Sequence, residues 1–204
     1  MKKINKKVIL SGDPGLQNYA FCITKYNKSK LKILKIGMIK QVINNLVRND
    51  ITKKIGPKRK RETITIKGNM YLTKRYIKRF SKLLDKYKPD EVVMERFQVR
   101  FRGGQSIAEC VSFMLGCLAT LCEFRNIPYT WLVASQWKNA INKEIDLEKT
   151  YSHIKDKYKI EPHMWDALCQ GMYVANQQNL YTYKRLKREK NKVIKHFAEK
   201  VKGK

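Results

Sequence analysis

Three carboxylate positions lie where a metal-dependent reaction could use them. Asp13 ends an apolar run and is followed by Pro-Gly, which predicts a tight turn. Glu95 lies in VVMERF, a run apolar enough for a central strand, and Asp166 lies in HMWDAL, three residues after His163. Carboxylate oxygens with one imidazole suit a hard divalent cation, and Mg²⁺ fits best. Two such ions about 4 Å apart can activate water and neutralise a leaving oxygen during phosphodiester hydrolysis.

Each position also has a simpler interpretation. Asp-Pro-Gly is common turn chemistry, and an acid in the first turn of a helix, such as Asp166, is favoured by the helix dipole. His163 would be an ordinary surface residue at a helix start. Glu95 is harder to explain, because a buried carboxylate needs a partner and neighbouring strand residues point to opposite faces, away from Arg96. A metal or the sheet edge must therefore compensate it.

The elements that would position these residues form an α/β pattern. Apolar alternation predicts three strands as an antiparallel meander, in KVILSG ending at Asp13, in YAFCITKYN and in LKILKIGMIKQV. A helix is predicted over 70–88, then the strand EVVMERF, a long apolar helix from about 107 to 125 and the strand YTWLV. Three helices follow, in SQWKNAI, in LEKTYSHIKDKYK and from Pro162. The order predicts a mixed sheet with helices packed against it.

Composition indicates one domain and an anionic partner. The chain has 204 residues, with 45 Lys and Arg against 17 Asp and Glu, a formal charge of +28. Such self-repulsion favours nucleic acid as the partner. No apolar run is long enough to span a membrane, and five cysteines without a C-x-x-C pair indicate reduced core residues in a cytoplasmic protein. We predict a domain over 1–182 with a basic insertion at about 44–68, and a basic helix or tail over 183–204.

The order of Asp-Pro-Gly on the first strand, Glu on a central strand and His-x-x-Asp-Ala-Leu on a late helix resembles the RuvC family of Holliday-junction resolvases. The resemblance spans most of the chain. It implies an RNase H-like mixed five-stranded sheet with helices on both faces, a homodimer, and catalysis by Mg²⁺, with Mn²⁺ able to substitute and two ions in each site. It also implies paired nicks that leave 5′-phosphate and 3′-hydroxyl ends. The matching catalytic and metal-binding positions are Asp13, Glu95, His163 and Asp166.

Two further segments extend the resemblance. ASQWKNAI is similar to the family segment that carries a basic residue near the site, which makes Lys138 a catalytic candidate. DPGLQN is more similar to the mitochondrial, poxviral and phage branches of the family than to the cellular bacterial branch. If a phage encodes the chain, the expected compartment is the host cytoplasm. A mitochondrial or viral origin stays open. Gly12 departs from the family, which usually has an apolar residue there, and the basic segment 44–68 resembles an insertion.

Basic residues near the predicted site are candidates for contact with branched DNA. Each neutralised phosphate would release counterions and make binding sensitive to salt. One aromatic side chain among them, Phe101, could stack on an unpaired base at the branch point. The candidates are Lys58, Arg59, Lys60, Arg61, Lys74, Lys78, Arg100, Phe101 and Arg102.

The sequence therefore predicts a structure-selective DNA endonuclease that resolves four-way junctions as a homodimer, with the apolar helix 107–125 as the expected interface. Two alternatives stay open. One is a flap or general branched-DNA nuclease of the same fold. The other is a basic nucleic-acid-binding protein without catalytic activity, which would have the same charge but no need for buried carboxylates.

Overall fold

A computed structural model describes residues 6–15, 18–27, 30–40, 74–96, 105–158 and 160–181, together with Lys195 and Glu199. The predicted basic insertion at 44–68 lies outside the described residues, as does the tail from 183 apart from those two positions. The domain boundaries therefore stay a prediction.

The strands form one mixed sheet. They are β1 (Lys7–Asp13), β2 (Asn18–Asn27), β3 (Lys30–Lys40), β4 (Glu91–Glu95) and β5 (Tyr129–Leu132). Their order in the sheet is β3-β2-β1-β4-β5. The first three pair antiparallel, and β4 and β5 continue the sheet parallel to β1. The predicted meander and the predicted mixed sheet are confirmed.

The helices follow the predicted order with small shifts at their ends. They are α1 (74–87), α2 (Gln105–Glu123), α3 (Ala134–Asn142), α4 (Leu147–Tyr158) and α5 (Pro162–Gln177). Helix α2 begins and ends about two residues earlier than its pattern predicts, a common uncertainty at helix termini. Its end is fixed by Asn126, which adopts a positive φ of 52°, and by the Ile127 amide, which donates to the Cys122 carbonyl at 3.0 Å.

Helices cover both faces of the sheet, because alternate strand residues point to opposite sides. Helices α1 and α2 pack on one face, where Leu10 of β1 shares a core with Phe80 and Leu118. Helices α3, α4 and α5 pack on the other face, where Ile9 of β1 shares a core with Leu168. We call this second side the α5 face. Among the described residues, Cys22, Cys117, Cys122 and Cys169 form no disulfide bond.

Strand β3 departs from strict alternation. Ile33 and Ile36 both reach the core of the α5 face although they are three residues apart. The register of β2 against β3 shifts between Ile23 and Thr24, and the extra residue on β3 returns the next side chains to the same side. Over the ranges given above, no helix has the length and apolar character needed to cross a membrane.

Candidate active site

Two carboxylates lie side by side at the carboxyl ends of adjacent parallel strands. The pairing of β1 with β4 matches Gly12 with Met94, so Asp13 and Glu95 occupy the next position on each strand. Alternation places both on the α5 face, because Ile9 and Val93, which have the same parity, lie in that core. Neighbouring strands are about 4.8 Å apart, which keeps the two side chains close.

Helix α5 brings the third carboxylate and the histidine to this end of the sheet. His163 lies in its first turn, and the His163 Nδ1 atom is 2.6 Å from Asp13 Oδ2. Asp166 follows three residues later and is 25% exposed. Gly171 allows the helix to approach β1 closely, since a Cβ atom there would lie 2.9 Å from Ser11 Oγ. His163 and Asp166 both lie in this helix, three residues apart and thus on one face, as the spacing predicts.

Helix α3 supplies the basic group expected near the site. Lys138 Nζ donates to Asp166 Oδ2 at 3.0 Å, and it also lies over the Trp137 ring, 5.0 Å from the centroid. Asp13, Glu95, His163, Asp166 and Lys138, the five predicted catalytic positions, are therefore brought together at one end of the sheet from four separate elements.

Glu95 has partners that the sequence did not predict. The indole Nε1 of Trp137 donates to Glu95 Oε2 at 2.9 Å, and the side-chain amide of Gln170 donates to the same oxygen at 3.0 Å. These bonds stabilise the carboxylate in part, because its pKa stays raised; its compensation by a metal stays a prediction. The one available signal was Gln170 itself, a polar residue one turn after Asp166 in an apolar stretch of helix.

The acids disfavour one another's charge. Burial raises the pKa of Glu95, and the charge of Asp13 raises it further, while the Trp137 hydrogen bond opposes the shift. Burial likewise raises the pKa of Asp166, against the opposing effect of Lys138. The hydrogen bond to Asp13 raises the pKa of His163. A cluster of this kind gains stability from a cation placed among its oxygens.

The donor chemistry fits a hard divalent cation. Asp13, Glu95 and Asp166 offer carboxylate oxygens, and His163 adds an imidazole nitrogen, a set that suits Mg²⁺ or Mn²⁺. Within the described residues, no three His, Cys, Asp or Glu side chains form a ready-made metal-binding group. Instead the positive Lys138 amine pairs with Asp166, and His163 bonds Asp13. These two bonds involve Asp166 Oδ2 and Asp13 Oδ2.

Two predicted DNA contacts fall on the described part of the chain. Lys74 and Lys78 are exposed on α1. Tyr76, between them, donates its hydroxyl hydrogen to the Gly15 carbonyl at 3.0 Å, so this end of α1 lies beside the turn that follows Asp13. The remaining candidates, which lie outside the described residues, are Lys58, Arg59, Lys60, Arg61, Arg100, Phe101 and Arg102.

Similar folds occur among solved structures, whereas no family model and no curated protein sequence matches the chain. The structure of Thermus thermophilus RuvC in complex with a Holliday junction substrate matches with a TM-score of 0.60 and 16% identity, over 85% of this chain and 96% of that chain. Another T. thermophilus RuvC structure matches with a TM-score of 0.60 and 14% identity, over 85% of this chain and 97% of that chain. The yeast mitochondrial Holliday junction resolvase matches with a TM-score of 0.50 and 18% identity, over 93% of this chain and 85% of that chain. At such identities the likeness concerns the fold. The chain thus has the RNase H-like fold of RuvC-type resolvases, with its mixed five-stranded sheet and helices on both faces.

Proposed function

We propose that this protein is a structure-selective DNA endonuclease that resolves Holliday junctions by paired, divalent-metal-dependent hydrolysis of phosphodiester bonds, leaving 5′-phosphate and 3′-hydroxyl ends. The observation that carries the proposal is the gathering of Asp13, Glu95 and Asp166 at one end of the sheet in a chain of net charge +28. Their mutual repulsion is a cost to the fold that a purely structural role does not explain.

The residues of the site divide the chemistry among them. Asp13, Glu95, Asp166 and His163 would hold Mg²⁺ or Mn²⁺, which supplies an activated water and neutralises the leaving oxygen. His163 Nδ1, beside Asp13, can also carry a proton. Lys138 keeps a positive charge next to Asp166, where it can attract the scissile phosphate. Exposed Lys74 and Lys78 extend that attraction along the DNA backbone.

Symmetric nicking also requires two sites, and α2 supports assembly of a homodimer. In this strongly basic chain, the 19 residues of α2 contain no Lys or Arg. Its outer side includes Phe113, which is 50% exposed, and Phe124 just beyond its end is 81% exposed. A Cβ at Gly116, between them on that side, would meet nothing within 4 Å. An exposed side that carries no basic residue and presents Phe113 and Phe124 fits a second copy better than it fits DNA. Sedimentation as a monomer, even with junction DNA present, would contradict this assembly.

The decisive experiment compares a synthetic four-way junction, a flap and an RNA–DNA hybrid as substrates. We expect symmetric nicks on the junction with Mg²⁺ or Mn²⁺, and weak activity with Ca²⁺, which prefers more ligands and looser geometry. Preference for the flap would favour the general branched-DNA nuclease. Binding without any nicking, in every metal, would favour the non-catalytic nucleic-acid-binding protein. Equal rates in EDTA would refute the metal mechanism.

A further inference from the structure

Glu95 is held by two side chains that are themselves completely buried. Trp137 in α3 and Gln170 in α5 are both 0% exposed. Each directs an N–H group at Glu95 Oε2, at 2.9 Å and 3.0 Å. Among the described residues, the other carboxylate oxygen, Oε1, receives no hydrogen bond. Both donors thus engage one oxygen and leave its neighbour available.

Gln170 in the core destabilises the fold unless its hydrogen bond to Glu95 has a role. A buried amide is costly when its polar atoms lack partners. Its own Oε1 atom is buried without a hydrogen-bond partner among the described residues. The orientation of the amide follows from chemistry, because a carboxylate only accepts and Gln170 must present its NH₂ group. An apolar side chain of similar length would avoid the unsatisfied oxygen.

The same two helices also hold the third carboxylate. Trp137 is the residue before Lys138, which donates to Asp166, and Gln170 lies one turn after Asp166. Side chains of α3 and α5 therefore form the hydrogen bonds of both Glu95 and Asp166. A shift of either helix would disturb the hydrogen bonds of both carboxylates.

We propose that Trp137 and Gln170 are positioning residues that fix Glu95 Oε2 and thereby present Oε1 to the reacting centre. This inference rests on the nuclease function proposed above. Side chains that orient a ligand in this way set the geometry of a site without touching the substrate.

Three variants test the roles of the donors. Trp137→Phe and Gln170→Met each remove an N–H donor and keep most of the volume. Trp165→Phe is the matched control, because the buried Trp165 Nε1 has no hydrogen-bond partner among the described residues. We expect the first two to lower the single-turnover nicking rate by about 10- to 100-fold and to raise the Mg²⁺ concentration that gives half the maximal rate. Junction affinity should be retained, and Trp165→Phe should nick like the wild type.

Thermal stability separates positioning from packing. Gln170→Met loses the bond to Glu95 but also the unsatisfied amide oxygen, so its melting temperature should change little while its activity falls. The inference is overturned if Trp137→Phe and Gln170→Met nick at the rate of Trp165→Phe. It is also overturned if their activity falls only in step with their folded fraction.

A spectroscopic measurement tests the hydrogen bond independently of nicking. The chain has 3 Trp, so the spectrum of ¹⁵N-labelled protein should contain three indole N–H peaks. In metal-free protein, Glu95→Ala should move the Trp137 peak upfield and leave that of Trp131, which is 38% exposed on β5, in place. A fixed Trp137 peak refutes the positioning role. If the peak moves but the wild type cuts no substrate, the proposed nuclease function fails and the hydrogen bond stands as a structural one.

Discussion

Replacement of Asp13 by Asn tests the site most directly, because it removes one negative charge and keeps the side-chain volume. An amide oxygen is a poor Mg²⁺ ligand. We expect the nicking rate to fall about 1000-fold, which corresponds to roughly 4 kcal/mol of activation free energy. Junction affinity should hold or rise, since one carboxylate fewer then opposes the approach of the scissile phosphate.

The cost of the same change to folding should be much smaller. Asp13 bonds His163 at 2.6 Å, and a hydrogen bond to a charged group contributes about 1.5–3 kcal/mol. The His163 side chain is 55% exposed, however, so screening by water reduces this to about 1 kcal/mol or less. Burial raises the pKa of half-buried Glu95 and of half-buried Asp166, and the charge of Asp13 raises both further, so loss of that charge relieves part of the cost. The melting temperature should therefore fall by less than about 4 °C for a chain of this size.

Gel-shift affinity, nicking rate and melting temperature should be measured on the same preparations at one stated salt concentration. Asp85→Asn is the matched control, because Asp85 is exposed on α1 and pairs with Arg125 rather than with the site. An Asp13→Asn protein that nicks at near the wild-type rate would refute the assignment. Loss of nicking together with a large fall in melting temperature would return Asp13 to the role of a turn residue.

Three further perturbations have expected outcomes. Gly12→Ala should destabilise the fold by about 1–3 kcal/mol in chemical denaturation, because its Cβ would overlap the Tyr19 hydroxyl and lie 2.5 Å from Tyr19 Cζ. Tyr19→Phe alone should be neutral or stabilising. Equal stability of Gly12→Ala and the wild type would contradict this packing. The hydrogen bond to Asp13 raises the pKa of His163, so the charged pair stabilises metal-free protein below the ordinary value of 6.5 and is lost as the pH rises through the folded-state pKa. His163→Ala should therefore lower the free energy of unfolding more at about pH 5 than at about pH 9. A larger loss at about pH 9 would contradict a charged His163–Asp13 pair. Lys78→Ala should weaken junction binding and reduce the salt slope by about 1 while the nicking rate at saturation is kept, and an unchanged slope would remove Lys78 from the interface.

The positions of the acids could be predicted because local signals fix them. Pro-Gly after Asp13 ends β1, the apolar run before Glu95 defines β4, and Pro162 starts the helix that carries Asp166. The bonds from Trp137 and Gln170 to Glu95 join residues that are 42 and 75 positions apart. No periodicity encodes contacts of that separation, because they depend on how α3 and α5 pack on the sheet.

Gly12 illustrates another limit of the sequence. In the pattern it is only a departure from an expected apolar residue. In the fold, Tyr19 fills the space above it, and the Tyr19 ring packs against Tyr76 and Phe80 with centroids 5.9 Å away in each case. The apolar volume has moved from one strand to its neighbour. Pairing of β1 with β2, which only the assembled sheet provides, is needed to recognise the exchange.

The charges of two glutamates on β4 have opposite effects on the stability of the folded state. Glu91 and Glu95 lie on the same face of the same strand, and at both positions burial acts to raise the pKa. At Glu91, bonds from Lys7, Gln178 and Thr130 outweigh burial, so its pKa lies below the usual value. At Glu95, the charges of neighbouring acids add to burial, and its pKa stays raised. The charge of Glu91 therefore stabilises the folded state above the ordinary carboxyl pKa, whereas the charge of Glu95 opposes it. Glu91 accepts three hydrogen bonds, one of them from a lysine, whereas Glu95 accepts two, both from uncharged donors, so among the described residues Glu95 forms no ion pair. That difference is what the proposed metal site requires of Glu95.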